Sequence, residues 1–191
     1  MLNGFTNVAI TKDLTDDILK SLDDLAKKTI CVGVPEEENT MHDDIANAEL
    51  LYIHTHGVRD TKMRRAMQHD LDSGTPYSKA HELYVHENGS PLWNTPPRPV
   101  LEPAIDNSKD EIAKQMKKAV EAALDGHNAE IELEKVGTMG QNSARDWFTN
   151  PSNNWPANSE DTIRRKGSDR PLIDKGQLRK SIIFTIKDGE Y

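Results

Sequence analysis

The chain has a single cysteine, Cys31, among its 191 residues. That excludes an internal disulfide and any site built on several thiolates. Cys31 lies in the apolar run Ile30-Cys31-Val32-Gly33-Val34, where it reads as a small buried hydrophobe and not as a reactive thiol. Aromatic residues are scarce, at 5%, and hydrophobic residues reach only 35% against 29% charged. This composition supports a folded domain with a thin core, one that gains stability from neighbours. No apolar run is long enough to span a bilayer, and the N-terminus lacks a basic stretch followed by an apolar one. Neither a membrane anchor nor a secretory leader is therefore expected. A phosphate-binding glycine loop, a nucleophile elbow and an HExxH motif are also missing. So is a basic surplus: 24 Lys and Arg face 32 Asp and Glu, for a net charge of −8. That balance disfavours a nucleic-acid-binding surface, because neutralising phosphates requires clustered cations. The local exception is Arg164-Arg165-Lys166.

What is present is a succession of helical patterns with short β-rich runs at either end. The length fits one domain over residues 1–191, with an insertion or mobile loop at 58–78, where the sequence is polar and rich in turn formers. Thr15 reads as an N-cap, with Asp16 and Asp17 in the first turn and Ile18, Leu22 and Leu25 at helical spacing. Ile30–Val34 reads as a strand ended by Pro35. A second helix opens at Asp43 and Asp44 and stops at Gly57. Ser108 and Glu111 form a capping box for the longest helix. Ile112, Met116, Ala119, Val120 and Ala123 share one of its faces, and Gly126 ends it. The helical stretch from Ala129 is expected to break at Gly137 and Gly140. Ser159 caps a short basic helix through Lys166, Asp174 caps another that contains Leu178, and Ile182–Ile186 reads as a final strand. The pattern is α+β, with several amphipathic helices packed on a small, mostly antiparallel sheet and with long loops or an extended arm.

Two segments resemble each other: Asn47–Gly57 (NAELLYIHTHG) and Lys79–Gly89 (KAHELYVHENG). A local duplication, two helices that pack alike and chance all remain open, and two copies do not make a solenoid. The segments carry His54, His56, His81 and His86. His54 and His56 sit two apart on a helical pattern and so point in different directions, which favours surface or interface histidines over a zinc site. Without a metal, no residue set assembles a nucleophile with its base, and no catalytic, cofactor-binding or metal-binding residue is assigned.

Between the second repeat and the longest helix runs Ser90-Pro91-Leu92-Trp93-Asn94-Thr95-Pro96-Pro97-Arg98-Pro99. Its prolines fix φ, remove donors and push their predecessors to extended conformations, giving a rigid connector or edge strand. An arginine between prolines is held on a fixed backbone, so Arg98 is expected to aim at one particular carboxylate or carbonyl. Trp93, Trp147 and Trp155 fall in loops or at element ends, where tryptophans serve either as interface anchors or as covers for a small core.

The order of these stretches carries a family resemblance. A helix reading NAELLYIH or AHELYVHENG is followed by PPRPVLEPAI, by an amphipathic helix ending ALDG, by NSEDTIRRKGSDRP, and by PLIDKGQLRKSI leading into a strand. This resembles the tail-completion or neck proteins of tailed bacteriophages, the tail-component family of lambdoid phages, over about Ile30 to Ile186. The matching positions are Tyr84, Gly89, Pro97, Arg98, Pro99 and Leu101, then Thr162, Lys166, Pro171, Leu172, Ile173, Asp174, Gly176, Gln177, Leu178, Ser181 and Ile182. The chain departs from the pattern at Thr95, Val100 and Lys175, and residues 58–89 are longer than usual.

The resemblance implies a structural virion protein of the head–tail junction, made in the bacterial host cytoplasm. It implies a self-associated ring, a hexamer, that meets the connector or head-completion protein and the tail terminator or tube proteins. Genomic DNA would pass without sequence-specific binding, and the resemblance implies no catalysis and no cofactor. A non-virion assembly chaperone or adaptor for tail or head completion is the alternative. Interface candidates are Tyr84, Trp93, Pro97, Arg98, Pro99, Leu101, Trp155, Leu172, Asp174, Gln177 and Leu178.

Overall fold

The computed structural model describes residues 13–42, 45–59, 61–76, 79–80 and 93–189, with backbone alone at 42, 59, 61–66 and 93–94. The architecture is α+β. Its described elements are α1 (Thr15–Ala26), β1 (Lys28–Gly33), β2 (Met41–His42), β3 (Ile45–Ala46), α2 (Asn47–His56), β4 (Val58–Arg59), α3 (Thr61–Asp72) and β5 (Trp93–Thr95). These are followed by α4 (Leu101–Leu124), α5 (Glu130–Trp147), α6 (Glu160–Lys166), α7 (Gln177–Ser181) and β6 (Ile183–Asp188). The strands form three two-stranded ladders, β1–β6, β2–β3 and β4–β5. In β2–β3 Met41 lies opposite Ala46, and in β4–β5 Val58 lies opposite Thr95, both antiparallel. The start of β1 meets the end of β6, where the Gly189 amide donates to the Lys27 carbonyl and Lys28 pairs with Asp188. Residues 58–78, read from the sequence as an insertion or mobile loop, contain β4 and the helix α3, whose Met67 is buried with Ala80.

The chain divides into two compact units. The first comprises Met1–Cys31, Ser108–Gly140 and Phe184–Tyr191; the second comprises Val32–Asn107 and Gln141–Ile183. In the first unit, α4 buries Gln115, Ala119 and Ala123, and α5 buries Leu133 and Val136. These positions repeat at helical spacing. Met116, Val120 and Leu124, one residue further along α4, stay partly exposed. Of the face expected from the sequence, Ala119 and Ala123 are thus buried and Ile112 half-buried, while Met116 and Val120 are exposed and Gln115 joins the buried side.

Gly137 does not break α5. A Cβ there would stand 2.2 Å from Cδ2 of Phe184, so glycine is present to admit the ring and the helix continues past it. The second unit is built on Leu51, Val100, Ala104, Ala144, Trp147, Phe148, Leu178 and Ile182. Val32, Val34, Leu101, Trp155, Leu172 and Ile173 pack around them.

Helix ends depart from expectation where a competing group is nearer. Thr15 is the first residue of α1 and not its cap: Leu14 holds the N-cap position without a side-chain hydrogen bond, and the Asp13 carboxylate just before it accepts from the Thr15 amide and hydroxyl. The Asn39 side chain accepts from the Ala48 amide at the start of α2, while Asp43 and Asp44 lie outside the described residues. Helix α4 begins at Leu101 and runs through the Ser108 capping box. Pro103 is tolerated because it falls in the first turn, where backbone donors lack helical partners anyway. Gly176, in the left-handed region at φ 75°, precedes α7 in place of the expected Asp174 cap. Ser159 caps α6 as the sequence indicated, accepting from the Thr162 amide.

Candidate functional site

The second unit's core supports a cavity of about 480 Å³. Three segments build it: the end of α2, the connector Thr95–Arg98, and the stretch from Ala157 to Leu178. Arg98 is its centre. The Arg98 amide donates to the His54 carbonyl at 2.6 Å, tying the connector to the last turn of α2. Its guanidinium donates from Nε and Nη2 to the Pro156 carbonyl, at 3.0 and 2.8 Å, and from Nη2 to the Ala157 carbonyl at 3.0 Å. The residue is 5% exposed, and burial holds its pKa below the usual arginine value. Beside it the Trp155 indole donates from Nε1 to the Pro99 carbonyl and meets Phe148 edge-on, with ring centroids 5.8 Å apart.

The other walls bring more charge. Lys166, the last residue of α6, donates from Nζ to the Arg170 carbonyl at 2.6 Å. Burial lowers its pKa, with Arg98 adding to the effect, while Asp174 and Asp169 oppose it. Lys175 also lines the cavity, as do the polar side chains of Thr162 and Gln177. Leu172 reaches the wall from a left-handed backbone at φ 56°, a conformation that costs about 1–2 kcal/mol in a residue with a Cβ. Its side chain packs on the core, which holds that conformation in place. Arg98, Lys166 and Lys175 therefore face one carboxylate, Asp174, inside a chain that is acidic overall.

His54 lines the same cavity. Burial lowers its pKa to about 4, helped by Arg98 and Lys166, so the ring is neutral at physiological pH. Its Nδ1 is sealed from solvent and has no hydrogen-bond partner among the described residues. His56, two residues on, is exposed, stacks on Tyr52 and places Nδ1 2.9 Å from the Tyr52 carbonyl oxygen. The two rings do not converge. Among the described residues, no group of three His, Cys, Asp or Glu is placed to hold a metal ion, and no helix is long and apolar enough to cross a membrane.

Of the interface candidates, Arg98, Leu172, Asp174, Gln177 and Leu178 come together around this cavity. Leu101 and Trp155 pack against the core cluster, the Pro99 carbonyl accepts from the Trp155 indole, and Pro97 is half-buried. Arg98 and Leu178 are buried within the chain, and Asp174 and Gln177 are exposed. Trp93 forms part of β5, with its side chain outside the described residues; Tyr84, like His81 and His86, lies outside them altogether.

Sequence reasoning missed His54 and Lys175 as members of the site. His54 had a usable signal, because it follows Leu50 and Leu51 at the spacing of a buried helical face. Lys175 had none, since its place depends on the turn before α7. No protein-family model, curated protein or solved structure matches the chain.

Proposed function

We propose that this protein is a ring-forming structural component of the head–tail junction of a tailed bacteriophage. In this reading it joins the tail to the connector and lets DNA pass. What carries the reading is the meeting of the two sequence signatures that resemble the neck and tail-completion proteins. Pro97-Arg98-Pro99 and Pro171–Leu178 are far apart in the chain, yet Arg98, Leu172 and Leu178 line one cavity, and Val100, Leu172 and Leu178 share one core cluster. A stretch retained for a single fold and surface is expected to gather in this way, whereas matches by chance carry no such requirement.

Two further features support an assembly role. Met116, Val120 and Leu124 form an i, i+4, i+8 stripe on α4, 37%, 38% and 47% exposed, as suits a helix face completed by a neighbour. The connector at Thr95–Pro99 is fixed by its prolines and by Arg98, as suits a rigid subunit edge.

The partners in this reading are further copies of the chain, the connector or head-completion protein, and the tail terminator or tube proteins. Native mass spectrometry and electron microscopy, of the protein alone and mixed with connector and tail proteins, test it. A closed ring is the expected result; a monomer under every condition overturns the proposal. Mass spectrometry of purified particles then separates a virion component from an assembly chaperone, which would be absent from them.

A further inference from the structure

We infer that the cavity beneath Arg98 is a binding site for a single oxyanion, a carboxylate or a phosphate group. Burying a guanidinium costs several kcal/mol unless an opposite charge accompanies it. Here no carboxylate among the described residues accepts from it in the bonds it makes. Arg98 is buried, yet its acceptors are the neutral carbonyls of Pro156 and Ala157. Those bonds use Nε and Nη2, and the second amino group, Nη1, takes no part in them.

A second cation lies beside the first, with Asp174 and Asp169 near enough to Lys166 to offset its charge in part. Lys166 faces the same space with one of its three donors on the Arg170 carbonyl, which leaves two for a ligand. Lys175 adds a third positive charge, and Asp174 is the single carboxylate on the wall. In a chain with a net charge of −8, composition does not lead to such a cluster.

The remaining lining suits an anion as well. Thr162 and Gln177 offer neutral donors, and neutral His54 adds no competing charge. Leu172 is held in a left-handed conformation at the wall, a backbone cost that tends to collect where a binding surface is shaped. At about 480 Å³ the space lies within the range of small-ligand pockets, about 300–1,000 Å³. It is roomy enough for the oxyanion and part of whatever carries it. This site stands whether or not the protein forms a ring, because it uses residues of one chain.

The test is a titration of the full-length ¹⁵N-labelled protein with sodium acetate and, separately, with sodium phosphate, at constant ionic strength made up with sodium chloride. Saturable shifts are expected at the Arg98 Nε–H resonance and at the amides of Thr162 and Gly176. Saturation by acetate identifies a carboxylate site, and saturation by phosphate a phosphoryl site. Lys166→Gln and Lys175→Gln, each checked for an unchanged amide spectrum elsewhere, should weaken binding at least tenfold and about threefold respectively. Lys117→Gln, on an exposed side chain of α4, should leave it unchanged. Shifts that rise linearly and match those from chloride alone overturn the site. So does saturable binding that neither Lys166→Gln nor Lys175→Gln weakens.

Discussion

The two units use their few large side chains in opposite ways. The second gathers Trp147, Phe148, Trp155, Val100, Leu178 and Ile182 into one cluster. The first buries chiefly Ala119, Ala123, Leu133 and Val136, and leaves Met116, Val120, Leu124 and Ile131 partly in solvent. Its helix α1 has no fully buried residue. Burial of apolar area contributes about 25 cal/mol per Å², so the difference is one of stabilisation as well as appearance. The thin composition is therefore unevenly distributed: one unit is well filled, and the other presents aliphatic surface that a neighbour can cover.

The comparison breaks most severely at Arg98. Its guanidinium donates to the Pro156 and Ala157 carbonyls of the second unit's loop. Arg98→Ala leaves both carbonyls without that donor and opens a void, while removing a costly buried charge. The net expectation is a loss of about 3–4 kcal/mol, because orphaned buried acceptors outweigh the relief of desolvation. Lys109→Ala, on α4, should cost less than about 0.5 kcal/mol, as surface substitutions do. Urea unfolding of the two variants decides this; equal midpoints would refute the central place given to Arg98.

Next comes His54, whose folded pKa of about 4 lies below the ordinary value of 6.5. The unfolded chain then binds more protons between those values, so stability is full above about pH 6.5 and falls as pH drops toward 4. Discounted for the partial exposure of the ring, the loss attributable to His54 is about 2 kcal/mol. His54→Gln should flatten the stability profile in that window relative to the parent, as read by urea unfolding at pH 7.5, 5.5 and 4.5. Parallel profiles would show that the ring is not the group responsible.

Gly137 makes a smaller but more diagnostic break in the first unit. Gly137→Ala should gain about 1 kcal/mol of helix propensity and lose about 2 by crowding Phe184, a net cost of about 1 kcal/mol. In a Phe184→Ala background the same change should stabilise by about 1 kcal/mol, since the crowding partner is gone. Additive effects in this double-mutant cycle, measured by thermal or urea unfolding, would contradict the close approach.

The same glycine marks where the sequence stops being legible. Local rules identified the Ser159 cap and the stops at Gly57 and Gly126, because each depends on residues within one turn. Gly137 reads as a helix breaker until Phe184, distant in sequence, is seen to need the space. Asp174 reads as a cap until Gly176 takes the turn, and the Ser108 box is overridden because α4 already has a start at Leu101. At the site, Arg98 was legible as a fixed side chain with a specific target, and carbonyls were among the targets expected. That the target would be Pro156 and Ala157, with Lys166 and Lys175 opposite, depends on long-range packing that no local pattern encodes.

The smallest effect on folding belongs to Val120, and it bears on the first unit's exposed stripe. Val120 is 38% exposed, so Val120→Lys removes little buried area and introduces a good helix former. The folded monomer should keep its stability within about 0.5 kcal/mol. If the stripe is the face that a neighbouring copy covers, however, the substituted charge must be desolvated at each contact. Ring formation should then weaken at least tenfold, about 1.4 kcal/mol per contact. Sedimentation velocity across a concentration series separates the two effects, with urea unfolding as the control for monomer stability. A variant that assembles like the parent would show that the aliphatic stripe is ordinary exposed surface, and that the partners of this unit lie elsewhere on the chain.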